Sequence, residues 1–233
     1  MRVSTWQQFS SNHSSHFTVV GRFRDEEEAE RITQQLRQWM NEILFTDTGK
    51  EREKQISETY NLDWYEDGVD WNGPSQADLT RIVKRVRNDV FLQTTVETWN
   101  YGQPFAGLMW KLGAQAADYA YGELIVLSAT IVCDAPDEAT AIAFCRDTQE
   151  YLDQPLKRNA PAWFSYGQGK RASTFGSVIR DGQHIQMFIQ FGVFHVAEDY
   201  EALILYLEAN GYQNISSFWY PTVEKEPSPK PKL

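Results

Sequence analysis

Cysteine and histidine are scarce in this chain, and that scarcity removes whole classes of function. Among 233 residues there are two Cys and four His. Cys133 and Cys145 stand alone, so they form neither a disulfide framework nor a zinc cluster. Both are expected as reduced, buried thiols, because free Cys packs as a small hydrophobe. His13 and His16 precede a predicted strand; His184 and His195 bracket another and would stand ~35 Å apart along a straight one. Neither pair has ligand spacing, so no metal or other cofactor is expected. Long apolar runs are also missing. Nothing approaches the ~20 residues that cross a bilayer, and residues 1–15 lack the apolar core of a signal peptide. A cytoplasmic protein with no membrane partner is therefore expected. Positive charge is in short supply: 22 Lys and Arg stand against 32 Asp and Glu, a net charge of -10. That argues against non-specific binding to nucleic acid, which needs a positive surface. No GxSxG, HExxH or P-loop pattern occurs, and no catalytic residue is assigned.

What is present reads as a globular protein rich in aromatic residues. Hydrophobic residues make up 42% and charged residues 23%, which excludes wholesale disorder. The aromatic share is 14%, with eight Trp, and such side chains carry much of the buried area in cores and interfaces. Residues 16–23 alternate as a strand, with Phe17, Val19 and Phe23 on one side. Asp25 then opens a helix whose first turn holds Glu26, Glu27 and Glu28, where carboxylates suit the positive end. Ala29, Ile32, Leu36, Trp39, Met40 and Ile43 follow at helical spacing. Residues 45–58 are polar and read as a loop or frayed helix, with Gly49 as a stop; residues 62–71 read as a hairpin turning at Asp67-Gly68.

The order then repeats. Asp137-Glu138 starts a helix as Asp25-Glu26 does, with Ala141, Phe144, Tyr151 and Leu152 in the places of Ala29, Ile32, Trp39 and Met40. Residues 78–86 match residues 199–207, setting Ile82, Val83 and Val86 on Leu203, Ile204 and Leu207. Both stretches are predicted as the second helix of a βαββαβ unit, followed by strands at 90–99 and 215–220. The expected organisation is α+β: a first unit at 1–100, a packed connecting segment at 101–122, a second unit at 123–222, and an extended Pro/Lys-rich tail at 223–233.

This pattern resembles the ferredoxin-like superfold in tandem duplication, over most of the chain. The resemblance implies antiparallel sheets with both helices on one face and the other face open. Paired units of this kind occur in dimeric α/β-barrel proteins, some of which bind haem or act on small molecules. They occur also in the repeat-associated RNA-binding proteins of CRISPR systems and in ACT-type regulatory modules. The superfold hosts unrelated activities, so it assigns none.

The strand expected at 184–196 shows what an open face would carry. Ile185, Met187, Ile189, Phe191 and Val193 suit a helix-covered core, while Gln186, Phe188, Gln190 and Phe194 fall on the other side. In strand 90–99, Phe91, Gln93, Thr95, Glu97 and Trp99 oppose Val90, Leu92, Thr94 and Val96. Such mixed faces are expected to meet the sister sheet, a partner chain or a ligand. The candidate contacts are Trp99, Phe188, Phe194 and Trp219. Gly167, Gly169, Lys170 and Arg171 form a loop suited to close approach and a phosphate, though without P-loop spacing. Arg81, Lys84, Arg85 and Arg87 form a basic patch on the predicted helix, and Asp63, Glu66, Asp67 and Asp70 an acidic one on the first hairpin. The function expected is non-enzymatic: a binding or adaptor protein, meeting a protein partner or a second copy through aromatic surfaces. An RNA-binding alternative requires one basic groove joining Arg81, Lys84 and Arg85 to Lys170 and Arg171. An enzyme or haem-binding alternative requires a cavity between the sheets.

Overall fold

Two four-stranded antiparallel sheets organise the chain. A computed structural model describes residues 15–62, 76–96, 102–121, 127–153, 174–191 and 196–220. Strand β1 (Ser15–Arg22) leads into helix α1 (Glu26–Phe45). The Asp25 side chain caps that helix by accepting from the Glu28 backbone N–H at 2.9 Å. The predicted stripe from Ala29 to Ile43 is the buried one. Helix α2 (Gly49–Tyr60) follows directly, where a loop or frayed helix was expected. Gly49, read as a stop, is the joint between the two helices: a Cβ there would collide with the Ile43 carbonyl oxygen. Arg52 of α2 pairs with Glu42 and lies over the Trp39 ring, tying α2 to α1. The hairpin expected around Asp67-Gly68 lies outside the described residues.

The stretch 78–86 departs from expectation. Only a one-turn helix, α3 (Leu79–Ile82), forms; Val83–Val86 is strand β2, paired with β3 (Asp89–Val96). The apolar spacing of Leu79, Ile82, Val83 and Val86 fits a helix, but so short a run does not discriminate. Two β-branched valines, and a turn at Arg87-Asn88 with Arg87 at φ 55°, favour the hairpin. The match of 78–86 with 199–207 therefore set a strand against a helix. The second long helix of the first half that packs on this sheet is α4 (Gly102–Lys111), and β4 (Ala116–Tyr121) then pairs with β1. The segment expected to connect two units thus supplies a helix and an edge strand to the first sheet. Small residues hid it: Gly21 of β1 lets α4 approach so closely that a Cβ would meet the Met109 side chain at 3.0 Å.

The second half runs β5 (Leu127–Asp134), α5 (Glu138–Asp153), β6 (Thr174–Asp181), β7 (His184–Phe191), α6 (Val196–Ala209) and β8 (Gln213–Trp219). Asp137 caps α5 by accepting from the Thr140 N–H, as Asp25 caps α1. The sheet orders are β2-β3-β1-β4 and β6-β7-β5-β8, all neighbours antiparallel. Relative to chain order the two are the same. One core lies between the first sheet and α1, α2 and α4; its residues include Phe17, Val19, Leu36 and Leu92. The other core joins Met187, Ile189 and Leu203 to Val20, Phe91 and Ala120 on the far side of the first sheet. No helix among the described residues is long and apolar enough to cross a membrane.

Candidate interaction surface

Each sheet has one face that its own helices leave open, and the two faces have different fates. On the first sheet the alternation of β3 sends Val90 and Leu92 toward the helices and Asp89, Phe91 and Gln93 the other way. That second side is filled by α6 and by the inward side chains of β8. Phe91 lies 5.6 Å from Tyr200 and 5.7 Å from Trp219, ring centre to ring centre, with Phe191 closing the cluster. Asp89, with no solvent exposure, accepts hydrogen bonds from the Tyr200 hydroxyl at 2.7 Å, the Ser217 hydroxyl at 2.9 Å and the Trp219 indole at 3.0 Å. The Arg22 guanidinium stands 3.5 Å from the same carboxylate and donates to the Ser217 carbonyl and hydroxyl oxygens. Burial pushes the Asp89 pKa up, and the Arg22 charge and the three donors offset this only in part. Burial and the neighbouring carboxylate hold Tyr200 well above the usual phenol range.

Around this cluster run pairs that join the two halves: Lys84 to Glu201 at 2.6 Å, Arg87 to Glu208 at 4.0 Å, and Gln93 to Glu198 at 2.9 Å. These account for much of the basic patch. Because residues 83–86 form a strand, Lys84 and Arg85 point to opposite faces. Lys84 turns to α6, while Arg85 turns to α1 and bridges Glu26 and Glu30. Arg81 is exposed on α3. Carboxylates thus balance the charges of Lys84, Arg85 and Arg87. Gly167, Gly169, Lys170 and Arg171 lie outside the described residues, as do Trp99, Phe194, His195 and the acidic cluster from Asp63 to Asp70. Trp219, expected as a contact residue, is 5% exposed and belongs to the core between the halves.

The open face of the second sheet is uncovered among the described residues. Ile185, Met187, Ile189 and Phe191 point inward as the sequence predicts. Register then sets out the opposite face in rows across β6, β7, β5 and β8. Ser177, Phe188, Thr130 and Phe218 form one row, and Ile179, Gln186, Val132 and Ser216 the next. Tyr220 stands beside Ser128, and its hydroxyl meets the Thr130 hydroxyl at 2.6 Å. Ile179 is 59% exposed, Phe218 58% and Tyr220 49%. Phe188 is half-buried, packed edge-on against Tyr220 with ring centres 5.5 Å apart and lying over Gly176. Among the described residues of this face, charge appears only at one end, where the His184 ring lies 2.8 Å from Asp134, which also accepts from Asn214. Those hydrogen bonds pull the Asp134 pKa down, the one from Asn214 most. Of this face the sequence singled out only Phe188. Phe218 and Ile179 were missed: with Trp219 read as a contact residue, alternation turned Phe218 inward, the reverse of what the fold does.

No family model and no curated protein matches the chain. Two solved structures are similar over most of its length. One is an unknown protein from Galdieria sulphuraria, at 9% identity and TM-score 0.25, covering 91% of this chain and 99% of that one. The other is a putative monooxygenase from Lactobacillus acidophilus NCFM, at 12% identity and TM-score 0.24, covering 89% and 93%. Likeness at this level transfers no activity to the chain.

Proposed function

We propose that this chain is a binding or adaptor protein built as a tandem duplication of a ferredoxin-like unit, making its contact through the open face of the second sheet. The shared strand order and the matching caps Asp25 and Asp137 support the duplication. The observation that carries the functional reading is the exposure of Ile179, Phe218 and Tyr220 together on one sheet face. Isolated apolar residues on a surface are ordinary, but a contiguous aromatic and aliphatic face marks an interaction site. The corresponding face of the first sheet meets the second half inside the same chain, so the scaffold has one such face spent and one available. The space beside Asp89, where a cavity would favour catalysis, is occupied by Phe91, Tyr200, Phe191 and Trp219.

The test is native mass spectrometry of the protein purified from its producing cells, as wild type and as the double variant Phe218→Glu with Ile179→Lys. Both side chains are more than half exposed, so the variant keeps its melting temperature. The wild type should carry added protein mass that the variant has lost. A variant that retains every companion of the wild type refutes the proposal.

A further inference from the structure

We infer that the partner joins this sheet as an added β-strand: an extended protein segment carrying a basic residue, hydrogen-bonded along the free edge of β6. The inference rests on the contact-surface reading above and adds the chemistry of the partner. The backbone of the edge carries it, not the apolar character of the face.

A sheet edge presents unpaired N–H and C=O groups, and native proteins cover or block such rows. The two sheets have four edges, β2, β4, β6 and β8. On β2 the outward carbonyl of Val83 accepts from the Arg37 guanidinium at 3.0 Å. On β8 the Ile215 carbonyl accepts from Arg87 at 3.0 Å, and the Ser217 carbonyl accepts from Arg22. Strand β4 lies against β5 and β8 of the other sheet.

Strand β6 has no such cover among the described residues. Its hairpin with β7 closes over two residues on Asp181 and His184, so that pair exchanges hydrogen bonds. Alternation makes Ile179 and Gln186 the next bonded pair, and it turns the N–H and C=O of Val178 and Arg180 away from the sheet. No described group bonds to those four outward atoms. The Arg180 guanidinium turns back to Glu138 and to the Gly182 carbonyl, which leaves its own backbone clear. The register break between Phe175 and Ser177 bounds the free stretch at residues 177–181.

Side chains set what the added strand carries. Ile179, 59% exposed, and the exposed Asp181 share the open face, and Asp181 pairs with no cation among the described residues. A strand antiparallel to β6, as every neighbour here is, sets an apolar residue beside Ile179. Two positions earlier in its own sequence it sets Lys or Arg beside Asp181. A second copy of the chain would instead bring its own net charge of -10 against this one.

The test is amide hydrogen exchange of the full chain by NMR, with and without the capped peptide Thr-Lys-Glu-Val-Val-Thr. Its Lys falls opposite Asp181 and its first Val opposite Ile179. In the free chain the amides of Val178 and Arg180 should exchange far faster than those of Ile179 and Asp181. So short a strand binds at about 1 mM, and about 10 mM peptide should slow both outward amides about 10-fold. The same peptide N-methylated at Glu and at the second Val, the residues that bond to Arg180 and Val178, should slow neither. Asp181→Lys should reverse the preference, favouring a peptide with Glu in place of Lys. Outward amides already slow in the free chain overturn the inference. Slowing that grows with protein concentration alone assigns the edge to a second copy and overturns it too. So does no slowing by the peptide, or equal slowing by its N-methylated form. If the peptide fails while the Phe218→Glu, Ile179→Lys variant loses the companion of the wild type, the strand is refuted and the contact surface stands. If the variant keeps that companion, both fall.

Discussion

Asp89 is the point at which the two halves are joined, and its replacement by Asn and by Ala separates hydrogen bonding from charge. The carboxylate is fully buried and takes three hydrogen bonds, from Tyr200, Ser217 and Trp219. At about 1 kcal/mol net each, Asp89→Ala forfeits about 3 kcal/mol. It also strips Arg22 of its counter-charge, a pair only 18% exposed on the arginine side, and leaves a small void. The total, about 3–5 kcal/mol, is a large share of the 5–15 kcal/mol typical of a domain. Asn keeps one acceptor for the Trp219 indole, and its amide can donate to the Tyr200 and Ser217 oxygens once those hydroxyls turn. Its cost is smaller, and it depends on pH.

Burial holds the folded-state pKa of Asp89 above its unfolded value. Its contribution to stability is therefore fully present below the unfolded pKa and is lost as pH rises through the folded one. Each tenfold gain in proton affinity on folding is worth about 1.4 kcal/mol of that loss. The neutral amide does not titrate. Guanidinium melts at a series of pH values, read at constant m, should show Asp89→Asn closest to a protonated wild type at acid pH. The balance should then move in favour of Asn as pH rises, with Ala far below both throughout. A gap that moves toward wild type as pH rises would refute the reading of this group as a carboxylate held against its charge. So would an Asp89→Ala protein as stable as wild type.

Two further outcomes follow from the same packing. Gly49→Ala should cost about 2 kcal/mol or more in the denaturation midpoint, because the new Cβ meets the Ile43 backbone and not a movable side chain. Burial, with Asp134 nearby, pushes the Cys133 thiol up to about 12, so a thiol reagent at pH 8 should modify it only on unfolding. Burial also raises the Cys145 thiol, but that side chain is only partly buried and should react before Cys133.

Much of the scaffold was legible in the sequence where one physical signal dominated. The stripe of α1 is long enough for its period to be unambiguous, and the caps Asp25 and Asp137 mark matching helix starts. In β7, strict alternation separated the inward Ile185, Met187 and Ile189 from the outward Gln186 and Phe188. The failures came where tertiary contacts decided. Val83–Val86 has four residues, and pairing with β3 overrode a helical spacing. Strand β4 is built on Ala116, Ala117 and Ala120, which carry little strand preference and are placed by their pairing with β1. Trp219 and Phe218 are neighbours of one residue type class, and no composition says which turns inward; the Asp89 carboxylate that receives the Trp219 indole lies 130 residues away.

The central claim, that the open face of the second sheet is where this chain makes its contact, is most directly tested by a photoreactive residue at position 218, compared with one at the exposed position 51 on α2. Irradiation in the producing cell should give a discrete adduct from 218 and none of that mass from 51. The same diffuse labelling from both positions, or no adduct from 218, would contradict the account.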